Sequence, residues 1–270
     1  MNWHTLRLQL PPPAKILYRE IRARVLDPFE VGSPAVISGQ TVRVPAYFRG
    51  GGRADYENPA VARMIRWLAE HPGGELVDCG CSLSVYSLIA LSLFPASAAL
   101  GIDPDLVSLK CTRRLCALVP APERLRLVHG FLDPVHFSAV SLAAAAAATS
   151  AALDDPSVSE ITEAIGYREI TDPGFAAVPR HSLDGLLEAA DPTRPRLLKI
   201  DVEGFELSVL RGAATVLRRL RPAVLLSAHP QFHGRLGTSP EALHAYLREA
   251  GYRSEWIATD HEEHWWCTPA

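Results

Sequence analysis

The sequence predicts an α/β fold, with a doubly wound, mostly parallel sheet of seven strands that follows an N-terminal extension. Two observations predict it. The 270 residues are 48% apolar and 21% charged, which is the balance of an ordinary globular protein with a sizeable core. After residue 75, short apolar runs typical of strands alternate with helical segments. Such βαβ units have right-handed crossovers, so neighbouring strands are expected to be parallel.

Residues 1–58 are the predicted extension. Three prolines at 11–13 interrupt it early, and a helix is expected over 14–26. Residues 41–48 alternate like a strand, which Pro45 confines to an edge, and glycines 50–52 end it. The main domain then spans 59–270 and opens with a helix in which Asn58 is the expected N-cap and Pro59 lies in the first turn.

The first half of the domain contains three predicted strands, at 76–79, 98–103 and 125–130. A nearly all-apolar helix over 84–94 follows the first strand, and a helix opened by Pro104 follows the second. The long connection 134–180 contains an alanine run, so a helix is expected over 137–153. This connection is either a lid over the substrate or an insertion without a role.

The second half contains four more predicted strands, at 197–201, 223–228, 256–258 and 265–267. A single helix is expected between the first two of these strands, ending before Pro222, and another over 240–250. The last two strands close the sheet.

Composition and charge exclude several classes of protein. The net charge is −3 without a basic stripe, which argues against nucleic acid as the partner. No apolar run reaches the roughly 18 residues that span a bilayer, and the first residues do not resemble a signal peptide. The five cysteines lack zinc-site spacings and indicate buried thiols in a reducing compartment. We expect a cytoplasmic protein; its oligomeric state is not readable from the sequence.

A ligand loop is predicted after the first strand, over residues 78–84. Gly80 turns the chain there, and the next helix begins with free backbone N–H groups, although a purely structural turn has the same pattern. Asp103 ends the second strand, 23 residues after Gly80, where a carboxylate can bind both hydroxyls of a ribose. The alternative is that Asp103 caps the helix opened by Pro104.

The residues of this loop indicate which kind of nucleoside ligand it can bind. The dinucleotide fingerprint Gly-x-Gly-x-x-Gly is absent, because positions 82 and 85 are Ser and Val, and no triphosphate-binding Gly-x-x-x-x-Gly-Lys motif occurs. S-adenosylmethionine has no phosphate, so its loop tolerates side chains better than a pyrophosphate loop does.

The segment 197–206 delivers three carboxylates directly after an apolar strand. Ligands of parallel α/β sheets bind beyond the carboxyl ends of the strands, so Asp201 and Glu203 are expected at an active site. If the strand extends as far as Glu203, alternation places both side chains on the same face of the sheet. The alternative is that either acid caps the following helix. Lys199 fits a structural ion pair as well as catalysis, and His229 is either a base or the end of a strand.

These motifs resemble the FkbM-type S-adenosylmethionine-dependent methyltransferases. Residues 77–88 are similar to the family's Val-Asp-x-Gly-Ala-Asn-x-Gly-x-Tyr-Ser-Leu loop, and 101–105 to its Glu-Pro-Asp turn. Residues 178–187 and 198–213 match two further segments, the last of which is the most specific. The chain departs from the family at Cys81, Ser82 and Ser84, where the family has Ala, Asn and Gly, and at Ser227, where it often has Glu.

The resemblance implies a Rossmann-like methyltransferase that uses S-adenosyl-L-methionine to methylate a hydroxyl on a sugar or small metabolite. Asp201, Glu203 and His229 are the implied catalytic residues, with His229 as the candidate base. The implied cofactor site comprises residues of the first loop and of the neighbouring strand ends: Asp78, Gly80, Cys81, Ser82, Ser84, Asp103, Pro104, Gly130, Phe131 and Asp201.

Other functions stay open. The altered loop fits a catalytically degraded cofactor-binding module of the same fold, and a nucleotide-dependent oxidoreductase is a third class. No metal site is predicted. The titratable residues 261–264 do not follow the His-Glu-x-x-His spacing and indicate a solvated hairpin. Asp201 is not followed by the Asp-Asn pair of metal-dependent oxygen methylation.

Overall fold

The computed structural model describes residues 32–48, 55–134, 140–158 and 177–270, together with part of 11–26. Eleven strands occur in these residues: β1 (Ser33–Ile37), β2 (Gln40–Val44), β3 (Glu75–Cys79), β4 (Ala98–Asp103), β5 (Leu125–His129), β6 (Phe131–Leu132), β7 (Arg180–His181), β8 (Arg196–Ile200), β9 (Ala223–Ala228), β10 (Tyr252–Thr259) and β11 (Glu263–Pro269).

The helices are numbered in the same way over the part of the chain from residue 32 onward that the structure describes. They are α1 (Asn58–Glu70), α2 (Val85–Leu93), α3 (Leu106–Leu115), α4 (Leu142–Leu153), α5 (Leu183–Leu186), α6 (Glu206–Arg211), α7 (Ala214–Arg219), α8 (Pro230–His233) and α9 (Pro240–Glu249).

Seven strands form the central sheet, in the order β10-β11-β9-β8-β3-β4-β5. Five are parallel, and β11 is antiparallel to both of its neighbours. The prediction of a seven-stranded, mostly parallel α/β sheet is confirmed. Adjacent residues Leu76 and Val77 belong to different hydrophobic clusters, because successive side chains of a strand point to opposite faces. Helices cover both faces, so the sheet is doubly wound.

The N-terminal residues pack onto this domain. The predicted strand ends at Val44, directly before Pro45, and pairs with β1, a strand the sequence analysis missed. Ile37, Val42 and Val44 join the core cluster that also contains α1. The described residues of 14–26 are helical, as predicted, whereas 1–10 and glycines 50–52 lie outside the described residues.

Several helix boundaries differ from the predictions. Glu57, in the left-handed region, precedes α1, so Asn58 is not the N-cap. The expected single helix after β8 is two helices, interrupted at Gly212, where a Cβ would lie 3.3 Å from the carbonyl oxygen of Asp133. The alanine-rich helix α4 begins only after Ser141, which caps it. Much of the predicted lid, residues 135–139 and 159–176, lies outside the described residues.

None of the helices in the described part of the chain has the length and apolar character needed to cross a membrane.

Candidate functional site

Gly80 joins the first loop to the acidic segment after β8. Its φ is +76°, and a Cβ at this position would lie 1.8 Å from the carbonyl oxygen of Asp201. The backbone N–H of Asp201 in turn donates to the carbonyl of Cys79. Only glycine permits this approach, so the loop and the acids lie side by side at the carboxyl edge of the sheet.

Four backbone N–H groups of the first loop are hydrogen-bonded within the protein. Those of Gly80 and Cys81 both donate to the carbonyl of Ile102, at 2.9 and 3.1 Å. That of Ser82 donates to Asp103 Oδ2 at 2.8 Å, and that of Ser84 donates to the Cys81 carbonyl. These four groups therefore do not form a phosphate cradle.

Asp103 anchors the loop and does not cap a helix. Its Oδ1 accepts from the N–H of Asp105 at 2.8 Å, while the Asp105 carboxylate caps α3 through Val107 and Ser108. The helix-cap alternative for Asp103 is therefore wrong. Burial raises the pKa of Asp103 to about 7.

The other side chains of the first loop differ in what they can offer a ligand. Cys81 is buried in a cluster with Leu109, so its side chain does not face the loop surface. Ser84 Oγ is buried without a hydrogen-bond partner among the described residues. Asp78 is buried beneath the loop, where it accepts from Ser87 Oγ at 2.9 Å. Ser82 is exposed.

Ser82 and Ser84 have φ of +44° and +47°, at the positions where the resembling loop has Asn and Gly. Those two residue types accept the left-handed region most readily. The substitutions thus retain the backbone conformation of the loop at a cost in strain.

The remaining predicted cofactor residues lie together at the ends of β4 and β5. The N–H of Gly130 donates to the Asp103 carbonyl at 3.0 Å, and the Pro104 carbonyl lies 3.0 Å from His129 Nε2. The Arg180 guanidinium lies over the Phe131 ring, with its carbon Cζ 5.4 Å from the centroid of the ring. The structure therefore brings Asp103, Pro104, Gly130 and Phe131 together.

Asp201 and Glu203 both approach His229, but not by strand alternation as predicted. The strand β8 ends at Ile200, and a turn with Glu203 at φ +51° follows. Asp201 Oδ1 lies 3.7 Å and Glu203 Oε2 3.6 Å from His229 Nε2. Neither acid caps the next helix, because α6 begins at Glu206 without a side-chain cap.

Lys199 forms the buried ion pair that the sequence analysis considered. Its Nζ donates to Asp201 Oδ2 at 2.9 Å and to Ser227 Oγ at 2.6 Å. Burial alone would lower the pKa of Lys199, but the nearby carboxylates, first that of Asp201, raise it above its usual value. Lys199 is therefore an ammonium ion that fixes the Asp201 carboxylate.

His229 binds a carboxylate at each ring nitrogen. Nδ1 lies 2.9 Å from Glu206 Oε1, and Nε2 lies 2.7 Å from Glu262 Oε2. Although burial opposes it, these partners raise the pKa of His229 to about 10. His229 is thus an imidazolium that already carries both protons. In this structure His229 therefore has no free acceptor nitrogen, which the predicted role of base requires.

Glu57 was not among the predicted site residues, and Glu262 and His264 were assigned to a solvated hairpin. The hairpin is present, formed by β10 and β11, and His261 is exposed at its turn, but Glu262 and His264 are 3% and 0% exposed, so the expectation that these two are solvated is wrong. In the hairpin, β11 pairs with β9, which places His264 opposite Ser227, and His264 Nδ1 lies 3.0 Å from Ser227 Oγ. For Glu262 and His264, the available signal is alternation: Glu262, in the turn before β11, and His264 and Trp266, in β11, are buried at every second position.

The sheet order and the paired loops at its carboxyl edge define a Rossmann-like methyltransferase. The sequence model of the methyltransferase FkbM domain matches residues 94–254. The chain therefore belongs to the FkbM methyltransferase family. The match includes Asp103, Asp201, Glu203 and His229, whereas the first loop and Glu262 lie outside it.

Similar solved structures share low identity with this chain. The methyltransferase FkbM from Methylobacillus flagellatus KT is 18% identical with a TM-score of 0.45, and the alignment covers 72% of this chain and 43% of that protein. The precorrin-6y C5,15-methyltransferase from Geobacter metallireducens GS-15 is 11% identical with a TM-score of 0.43, covering 78% and 86%. No curated protein matches the sequence.

Proposed function

We propose that this chain is an S-adenosylmethionine-dependent methyltransferase that methylates a hydroxyl oxygen of a sugar or small metabolite. One observation carries the proposal. Gly80 touches the Asp201 carbonyl, so the predicted cofactor loop and the predicted catalytic acids share one edge of the sheet. A donor held by the loop would have its reactive end beside these acids.

The residues of the loop fit a nucleoside without phosphate. Four loop N–H groups are bonded within the protein, which disfavours a pyrophosphate ligand and hence the oxidoreductase alternative. A carboxylate has about four acceptor positions. Asp103 uses two of them for backbone N–H groups, so about two are left for the two hydroxyls of a ribose.

When bound, S-adenosylmethionine supplies an electrophilic methyl group on a sulfonium. The task of this chain is then to hold a hydroxyl in line with that group, and such positioning contributes up to about 7–11 kcal/mol. Lys199 fixes the orientation of Asp201, and the imidazolium of His229 attracts Asp201 and Glu203 toward one point.

Glu203 is the acid best suited to receive the proton of the hydroxyl. Its side chain is 53% exposed, so an acceptor can reach it, whereas Asp201 is already paired with Lys199. Burial of the other part of the side chain raises the pKa of Glu203 above its usual value. A general base contributes about 10²–10⁴-fold to the rate.

The first test is cofactor binding by calorimetric titration with S-adenosylmethionine, S-adenosylhomocysteine and NADH. Asp103→Ala should weaken binding of the first two by about 1.5–3 kcal/mol, the range for a charged hydrogen-bond partner. Asp105→Ala is the matched control, since it also removes a carboxylate that binds backbone N–H groups. Equal losses in both variants would assign Asp103 a structural role only, and tight binding of NADH alone would exclude the proposal.

The second test is turnover with a panel of polyol, sugar and glycan acceptors. Glu203→Gln should lower kcat by about 10²–10⁴-fold while cofactor affinity stays unchanged. Cofactor binding without transfer to any acceptor would favour the degraded binding module, which the strained Ser84 and the substituted Ser227 motivate.

The proposal includes a cytosolic location, which five buried free thiols support. It also names a small molecule or glycan, and not a nucleic acid, as the acceptor, in keeping with the net charge of −3.

A further inference from the structure

Three side chains that the proposed methyl transfer does not use converge beside the site. Glu57 comes from the turn before α1, and Glu262 and His264 come from the β10–β11 hairpin. One ligand atom from each lies within 4.8 Å of the other two. All three residues are buried.

The two carboxylates each have one oxygen without a hydrogen bond. Glu57 Oε2 accepts from Tyr86 Oη at 2.5 Å, and Glu262 Oε2 binds His229. Their Oε1 atoms accept no hydrogen bond from the residues that the structure describes, although the side chains are 0% and 1% exposed. Buried polar atoms are almost always paired, so these two oxygens are acceptors open to a further ligand, although the carboxylates already interact with the Lys199 ammonium.

Two imidazoles face the same oxygens. His264 Nε2 lies 3.7 Å from Glu262 Oε1, and His261 Nε2 lies 3.9 and 4.0 Å from Glu57 and Glu262 Oε1. With bonds of about 2.0–2.2 Å, the ligands of a tetrahedral ion are about 3.3–3.6 Å apart. The three observed distances exceed this spacing by less than about 1 Å. His261 is not among the three residues whose ligand atoms all lie within 4.8 Å of one another, so it would have to move toward His264, and His264 Nε2 would have to turn from Asp260, which lies at 3.2 Å.

The surroundings of His264 and His261 also suit a metal. His264 Nδ1 lies 3.0 Å from Ser227 Oγ, whereas Nε2 is hydrogen-bonded to Asp260 Oδ2 at 3.2 Å. Binding of an ion at Nε2 would therefore require its proton to leave, with Nδ1 then donating to Ser227 Oγ. Metal-binding histidines almost always have such a partner at the other nitrogen. His261 is 63% exposed, which gives an ion a route from solvent.

We propose that Glu57, Glu262 and His264 bind a divalent transition-metal ion, with His261 as the fourth, solvent-side ligand. Two carboxylates and two imidazoles suit zinc and manganese better than magnesium or calcium, which prefer oxygen ligands alone. Glu262 would bridge the ion and His229, since its second oxygen binds the imidazole. The site does not depend on the proposed methyl transfer.

The test uses the full chain, stripped with EDTA and then titrated with Zn²⁺ and, separately, Mn²⁺. Elemental analysis should find one ion per chain, and calorimetry should give a single class of sites. Glu57→Gln and Glu262→Gln should each weaken binding at least about 100-fold, more than the loss of an outer partner. Glu263→Gln is the matched control, since it makes the same change one residue away, and it should bind like the parent.

Co²⁺ provides a second readout, because its visible spectrum reports nitrogen ligands. His261→Ala changes an exposed side chain, so it should stay folded even if the buried variants do not, and it should weaken binding and alter the Co²⁺ spectrum. No stoichiometric ion in the parent, or equal losses in Glu262→Gln and Glu263→Gln, would overturn the proposal. Cofactor titration of the same samples tests the methyltransferase assignment separately.

Discussion

Strand β3 carries a buried carboxylate near each end, and their surroundings are opposite. Glu75, at the amino end, is held by three arginines, with Arg196 Nε at 2.7 Å, Arg126 Nη2 at 2.5 Å and Arg194 Nη1 at 3.9 Å. Asp78, near the carboxyl end, accepts from Ser87, and burial raises its pKa to about 7. Glu75 is therefore surrounded by more positive charge than it needs, whereas Asp78 is not.

The same difference in charge balance distinguishes the amino and carboxyl edges of the whole sheet. At the carboxyl edge, carboxylates outnumber the cations Lys199 and His229, and two of their oxygens have no hydrogen bond within the described part of the chain. Of the seven described non-glycine residues with left-handed φ angles, four lie there, Glu57, Ser82, Ser84 and Glu203, whereas Ser38, Ala121 and Arg221 lie elsewhere. Unpaired charge and backbone strain cost stability, and such costs are common at functional sites, in keeping with the site proposed at this edge. The amino edge stabilises the fold.

The largest effect is expected at the amino edge. Glu75→Gln should lower the free energy of unfolding by about 3–5 kcal/mol, because it leaves the buried Arg196 guanidinium without its counter-ion. Urea denaturation at pH 7 measures this loss, and cofactor affinity of the folded variant should be unchanged. A loss below about 1 kcal/mol would remove the contrast between the two edges.

The next effect is a pH dependence from Asp78, which also faces Lys199, Asp201 and Asp103. Its folded pKa of about 7 exceeds an unfolded value near 4, so its contribution favours the fold at low pH and is lost as the pH rises through this window. The variant Asp78→Asn has no ionisable group at this position, so it does not lose stability in this way as the pH rises. Its stability relative to the parent should rise by on the order of 2 kcal/mol between pH 5 and 8 in chemical denaturation. A constant difference would contradict the raised pKa.

The smallest expected effect is at Glu57, and it compares a buried glutamate of the carboxyl edge with Glu75 of the amino edge. In metal-free protein, Glu57→Gln should raise the free energy of unfolding by about 0.5–1 kcal/mol, because it removes an unpaired buried charge and keeps an acceptor for Tyr86. This sign is opposite to that of Glu75→Gln. Denaturation of both variants in excess EDTA measures it, and a loss as large as that of Glu75→Gln would show that Glu57 is fully paired.

The strands of the sheet were predictable because apolar runs such as 223–228 allow few alternatives. Gly80, Asp103 and Asp201 were also found, since each ends or follows such a run. Local patterns therefore predicted the sheet, and they place Gly80, Asp103 and Asp201 at its carboxyl edge, where their roles stay a prediction.

The rest depends on contacts between distant segments. The protonation of His229 is set by Glu206 and Glu262, which lie 23 residues before it and 33 after it in the chain. Glu57 reaches the site through a left-handed turn, for which glutamate carries no local signal. The hydrogen bonds of the loop N–H groups likewise form only when β4 lies beside β3.

The contact between Gly80 and the Asp201 carbonyl has an evolutionary consequence. Because the two segments are in direct contact, relatives that keep the glycine should also keep the distance in space between the loop and the acidic segment. Differences between such relatives are then expected in segments away from this contact, where length and composition can vary without disturbing it.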